Sequence, residues 1–119
     1  MVENCKIEST MLGYEDHGIL TCWLFLEGDG WNAGFGGYAL DDYDESKGRR
    51  VASTKGLQTI AEILNALELD SWEKLPGTFI RAETDGWGGK CTKIGHLIKD
   101  KWFSWEGFFS EGEGEQGGK

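Results

Sequence analysis

Ile19-Leu-Thr-Cys-Trp-Leu-Phe-Leu26, Glu27-Gly-Asp-Gly30 and Trp31-Asn-Ala-Gly-Phe-Gly-Gly-Tyr-Ala-Leu40 are consecutive, and their reading decides the fold. The first block is apolar at nearly every position and rich in aromatics, which favours a strand over a helix. Apolar residues on both sides of a strand imply that both faces are covered. A helix can cover one face. The C-terminal segment or a second subunit is then expected on the other, which makes a homodimer one candidate assembly. Asp29-Gly30 is a hairpin signal, because both residue types tolerate positive φ. The returning strand carries Gly34, Gly36 and Gly37. Glycine weakens a strand unless a bulge, a neighbouring aromatic ring or a ligand needs the space.

Upstream, Cys5 to Leu12 alternates, with Cys5, Ile7, Ser9 and Met11 on one side and Lys6, Glu8 and Thr10 on the other. That period predicts a half-exposed first strand, placed at an edge. Gly13-Tyr-Glu-Asp-His-Gly18 is a polar reversal. Downstream, Asp41 to Ala52 reads as an exposed loop, acidic first (Asp41, Asp42, Asp44, Glu45) and then basic (Lys47, Arg49, Arg50). Leu57, Ile60, Ala61, Ile63, Leu64 and Leu67 recur at helical spacing, predicting a helix over 55–68 with Thr54 as N-cap.

Asp70-Ser-Trp-Glu73 predicts a capped single turn, and Pro76-Gly77 a chain reversal. Strands are expected over 78–84 and 90–98, joined by Asp85-Gly86. Glu27-Gly-Asp-Gly-Trp31 and Glu83-Thr-Asp-Gly-Trp87 share Glu, Asp, Gly and Trp at the same offsets, so the two hairpins echo each other. Ser104 is placed to cap a short helical turn carrying Trp105, Phe108 and Phe109. The expectation is one α+β domain over residues 1–110: an antiparallel sheet of about five strands, made of two Asp-Gly hairpins and an edge strand, with one main helix on one face. Residues 111–119 read as a disordered acidic Gly/Glu tail.

The net charge of −9 argues against a direct nucleic-acid binder, which neutralises phosphates with Lys and Arg. It suits a protein that docks on a basic surface. The three cysteines, Cys5, Cys22 and Cys91, cannot all pair within one chain, and free thiols in a reducing cytoplasm are expected. Met1 to Lys6 is polar and lacks a secretory pattern, and the longest apolar run is too short for a bilayer.

Glu15-Asp16-His17 is the most reactive-looking cluster, with His17 as a candidate general base. Turn chemistry accounts for the same residues. His96 reads as a hydrogen-bonded, half-buried histidine. No spacing suits a metal, and no cofactor is implied. Gly34-Phe-Gly-Gly37 lies inside a strand with no helix following, unlike a dinucleotide fingerprint. Two binding surfaces emerge. One is the acidic loop of Asp41, Asp42, Asp44 and Glu45, with Trp31 and Trp87 as aromatic anchors for a protein partner. The other is a ligand site of glycines beside aromatics, drawing on Gly36, Gly37, Glu15, Asp16, His17 and His96, with Arg49, Arg50 and Arg81 for an anion such as a nucleotide.

Leu12-Gly-Tyr-Glu-Asp-His-Gly-Ile-Leu-Thr21 and Gly34-Phe-Gly-Gly-Tyr-Ala-Leu-Asp41 resemble a small family of phage and prophage proteins. Ser71-Trp-Glu-Lys-Leu75, Gly86-Trp-Gly-Gly89, Ile94-Gly-His96 and Asp100-Lys-Trp-Phe103 extend the likeness across most of residues 7 to 103. The resemblance implies a setting rather than a chemistry: an accessory protein of a bacterial virus, acting in the host cytoplasm. Together these readings give a non-enzymatic protein that binds a host protein, such as a component of a defence system in the manner of an anti-CRISPR inhibitor. The alternative is a small-ligand or nucleotide-binding module.

Overall fold

The computed structural model describes residues 1–84 and 91–105, apart from the Asp16 side chain. Its main sheet has six antiparallel strands in the order β3-β2-β1-β6-β7-β8. These are β1 (Val2–Glu15), β2 (Ile19–Gly28), β3 (Trp31–Ala39), β6 (Phe79–Thr84), β7 (Cys91–Gly95) and β8 (Trp102–Phe103). A separate ribbon pairs β4 (Asp41–Asp44) with β5 (Arg49–Ala52), and α1 (Thr54–Leu67) follows it. The α+β class is therefore present, with more strands than the sequence suggested.

β1 lies in the centre of the sheet, paired with β2 on one side and β6 on the other, rather than at an edge. Its alternation is broken by a bulge between Ile7 and Ser9. Cys5 and Ile7 face the core before it. Beyond it Thr10 and Leu12 pair with the core-facing Leu24 and Cys22, while Ser9 and Met11 fall on the outer face beside Phe25 and Trp23. One extra residue thus reverses the face of everything after it.

β2 and β3 form the expected hairpin, closing at Gly28 opposite Trp31, with Gly30 at φ 79°. The expected exposed loop at 41–52 is an ordered ribbon. Its turn forms because the Asp44 carboxylate accepts from the Ser46 amide (2.9 Å), the Ser46 hydroxyl (2.6 Å) and the Lys47 amide (3.2 Å). Pro76-Gly77 reverses the chain as expected, with Gly77 at φ 90°. β6 and β7 pair antiparallel; the turn expected at Asp85-Gly86, Trp87, the helical turn expected after Ser104 and the expected 111–119 tail lie outside the described residues.

The helix starts one residue earlier than its apolar pattern suggested. Ser53, not Thr54, is the N-cap: its hydroxyl accepts from the Gly56 amide at 2.8 Å and donates to the Leu40 carbonyl at 3.1 Å. Glu68 ends it in the left-handed conformation at φ 56°. Below it, Ser71 stands before the single turn Trp72–Lys74 without a side-chain capping bond, and Asp70 pairs with Lys74 at 2.8 Å instead. The helix buries Thr59, Ile63, Ala66 and Leu67 against the sheet. Ile7, Leu24, Leu26, Phe35, Leu75, Ile80 and Ile94 complete the core. No helix among the described residues is long and apolar enough to cross a membrane.

Phe103 and Trp105 join this core from the C-terminal side and bridge it to β3. Phe35 meets Phe103 edge-on at 6.2 Å and Trp105 at 6.0 Å, and Tyr38 lies 4.9 Å from Trp105. Phe103 and Trp105 therefore close the same face as the helix. The other face of β2 carries no second layer among the described residues: Phe25 there is 41% exposed.

Gly56 marks the closest approach of α1 to the chain, where an added β-carbon would fall on the Leu40 carbonyl oxygen and carbon. In a free helix Gly→Ala stabilises by about 0.5–1 kcal/mol. Here the sign reverses: Gly56→Ala is expected to destabilise by about 1–3 kcal/mol, the usual cost of overpacking. A rise in thermal midpoint on this substitution would contradict the packing.

Candidate functional site

The Trp23 indole lines a concavity at the edge of the sheet. Trp23 points to the outer face of β2, directly opposite Gly36. Its ring lies along β3, with Cζ3 and Cε3 3.0 and 3.1 Å from where a Gly34 β-carbon would stand. At Gly37 the same indole would collide with a β-carbon, with Cη2 2.8 Å away. A side chain at either position would displace the ring. The register shifts between Thr21 and Trp23, and Gly36 and Gly37 take φ 135° and 88° to absorb the extra residue. The glycines thus serve both the bulge and the indole.

Two contacts hold the ring in place. Phe25 stacks in line with it, with centroids 6.0 Å apart and planes 9° apart. The Glu15 carboxylate accepts from the indole Nε1 at 2.9 Å and from the Thr21 hydroxyl at 2.5 Å. These two bonds hold the Glu15 carboxyl below its ordinary value.

Beside the indole the sheet opens into a cleft of about 340 Å³, lined by Trp23, Gly34, Gly36, Tyr38, Cys91, Thr92 and Trp105. That volume lies within the range of small-molecule sites. Strand β3 forms one wall and the start of β7 the other, with Trp105 packed against Tyr38 between them. The polar atoms of the β7 wall are turned to the backbone: the Thr92 hydroxyl donates to the Glu83 carbonyl at 3.2 Å, and the Cys91 thiol to the Lys93 carbonyl at 3.5 Å. Burial pushes the Cys91 thiol up to about 12, so it stays protonated at neutral pH and is a poor nucleophile.

The sequence-predicted residues divide around this cleft. Gly36 lines it, Gly37 lies beneath Trp23, and Glu15 anchors the indole. His17 does not join Glu15 in a catalytic group: the Glu15 carboxylate is committed to Trp23 and Thr21, and His17 sits exposed in the turn at φ 63°, while the Asp16 side chain lies outside the described residues. The arginines lie elsewhere. Arg50 pairs with Asp41 at 2.8 Å, Arg49 is exposed opposite Asp44, and Arg81 donates to the carbonyls of His96 and Lys99, each at 2.8 Å. The anion-binding component of the nucleotide reading therefore finds no support in the lining.

His96 is satisfied as expected. Its Nδ1 accepts from the amides of Ile98 (3.1 Å) and Lys99 (3.0 Å), and its Nε2 faces Glu68 at 3.5 Å.

The acidic surface is smaller than the sequence suggested. Asp41 is buried: one carboxylate oxygen accepts from the Leu20 amide at 3.2 Å and the other from Arg50, so it pins the start of β2 to the ribbon. Asp44 organises its turn, while Asp42 and Glu45 remain exposed. Trp31 is partly buried against the core, with its ring over Gly28, where a β-carbon would overlap it. Among the described residues no cluster of three His, Cys, Asp or Glu is placed to hold a metal.

Sequence reasoning missed Trp23, Tyr38 and Thr92 as lining residues. A signal was available for Trp23. Counting back from the Asp29-Gly30 turn sets Phe25 against Gly34 and Trp23 against Gly36, so both aromatics face glycines across the hairpin. Compared with family models, curated proteins and solved structures, the chain matches none.

Two outcomes test this arrangement. The folded-state pKa of Glu15 is lowered below the ordinary 4.5, so its contribution is full at pH values above that figure and is lost as pH falls through the lowered value. The Trp23 fluorescence signal is therefore expected to stay constant down to about pH 5 and change only in stronger acid, and Glu15→Gln removes that transition. Asp41→Ala leaves Arg50 and the Leu20 amide without their acceptor and is expected to destabilise by about 3 kcal/mol in chemical denaturation. An unchanged midpoint would return Asp41 to the binding surface.

Proposed function

We propose that this domain is a non-catalytic binding protein that takes a small, flat-sided ligand in the cleft between β3 and β7. One observation carries the reading: a 340 Å³ concavity walled by Trp23, Tyr38 and Trp105, with Gly34 and Gly36 on its β3 side. The rings provide broad apolar area with few rotatable bonds. Glu15 and Phe25 hold Trp23 in one orientation before anything binds, which lowers the ordering cost of association. The groups on the β7 wall favour binding over nucleophilic chemistry, since the thiol is protonated and the hydroxyl is engaged.

The test is a tryptophan-fluorescence titration against a panel of aromatic heterocycles, in parallel with Thr92→Trp. Thr92 is exposed, so an indole there fills the cleft without entering the core. Wild type is expected to show saturable quenching, and the variant to bind at least about tenfold more weakly, the loss of about 1.4 kcal/mol. Equal affinity in both proteins would place binding elsewhere.

A second reading, a host-protein inhibitor encoded by a phage, draws on the β4–β5 ribbon. Tyr43 is 59% exposed there and is flanked by the exposed Asp42 and Glu45, an aromatic anchor in an acidic frame suited to a basic partner. A host protein retained by wild type in low salt and lost with Tyr43→Ala, at unchanged thermal midpoint, is the expected result. Retention by the variant would remove this surface from consideration.

A further inference from the structure

We propose that His96 is a proton-operated latch on the turn between β7 and β8, residues 96–101, independent of either binding reading. One side-chain atom gathers the first half of this turn. The His96 Nδ1 accepts from the amides of Ile98 at 3.1 Å and Lys99 at 3.0 Å. Nδ1 is bonded to Cγ, as Oδ1 is in asparagine, so the ring reproduces the Asx-type turn, in which a side chain accepts from its own backbone a few residues on. The difference is that an imidazole titrates. An accepting Nδ1 carries no proton, which puts the proton of the neutral ring on Nε2. A second proton then has only Nδ1 to occupy, and imidazolium accepts from nothing. Proton uptake therefore removes the acceptor from both amides at once.

The ring is surrounded by charges from four elements. Glu68, at the end of α1, faces Nε2 at 3.5 Å and favours a charged ring. Lys99 and Lys101 reach the same carboxylate from the turn, at 2.9 and 3.1 Å, and oppose it. On β6, Arg81 donates to the His96 and Lys99 carbonyls, each at 2.8 Å. Asp100 in the turn accepts from the Trp102 indole at 2.8 Å, and Lys93 on β7 pairs with Glu83 at 3.6 Å. These charges set the pH at which the proton binds. They do not alter what it does to the turn. The effect reaches past the two amides, because Lys99 is also the residue that Arg81 holds by its carbonyl and Glu68 by its amine. The far end of the turn is tied back to His96, whose amide donates to the Lys101 carbonyl at 2.9 Å. β8 itself pairs with β7 through Trp102 and Phe103 alone. An opened turn thus leaves this edge strand two residues of pairing to keep its register.

The experiment is NMR on the full chain from about pH 8 to pH 5, the span in which histidines titrate. It follows the His96 ring nitrogens together with the exchange protection of the Ile98 and Lys99 amides, corrected for the intrinsic pH dependence of exchange. At the upper end the ring is expected as the Nε2–H tautomer. As it takes up its proton, protection of both amides is expected to fall at least about fivefold, the net worth of one hydrogen bond, with the same midpoint as the ring. His96→Asn keeps an acceptor at the same branch position without a titrating group, and is expected to retain protection at both ends of the range. His96→Ala is expected to lose it throughout. Protection that holds while the ring titrates overturns the latch, and so does a ring that stays neutral across the range in the folded chain. A pH response that survives in His96→Asn also overturns it and assigns the response to Glu68.

Discussion

The packing of the Trp23 indole along β3 is the constraint on which this structure turns. An indole cannot lie flat on a strand that carries side chains, so β3 has glycine at positions 34 and 37, where the ring passes. A strand so poor in side chains contributes little packing of its own. Its stability comes from elsewhere: Phe35, the one large inward residue between those glycines, is buried with Phe103 and Trp105. Outer-face indole and inner-face phenyl thus grip the strand from both sides. The cleft lies beside this arrangement, between the bulged strand and β7.

Charge is distributed with the same economy. The cations near the C-terminal edge of the sheet are held in internal contacts. Lys99 and Lys101 converge on Glu68 at 2.9 and 3.1 Å, and Arg81 covers Trp102 at 4.6 Å while holding the carbonyls of the following turn. Arg50 is tied to the buried Asp41. On the ribbon the exposed Asp42 and Glu45 stand with the exposed Lys47 and Arg49, and together they set the potential that an approaching partner meets. Of the two functional readings, the one at the ribbon draws on that field.

Much of the fold was legible residue by residue. The Asp29-Gly30 hairpin, the helical period from Leu57 to Leu67 and the Pro76-Gly77 reversal are local signals, each contained within a few residues. The failures have local causes too. The alternation of β1 cannot reveal a bulge, because Ile7 and Ser9 belong to one side until a partner strand shifts the register. Asp41 reads as one acid among several. Its burial depends on Arg50 nine residues away and on the Leu20 amide of another strand. For the site, the glycine cluster was correctly singled out as a place of close approach, but which ring approaches was not legible from composition alone.

The sequence by itself determined the α+β class, the hairpin at Asp29-Gly30, the helix and the presence of unusual space at Gly34 to Gly37, because each follows from backbone preference or short-range periodicity. Only the tertiary structure decided that β1 is central, that the charged stretch is a ribbon pinned by Asp41, and that Trp23, Tyr38, Thr92 and Trp105 share one cleft. Those features depend on strand order and on contacts between residues dozens of positions apart, and local preferences carry no information about which distant segments will meet.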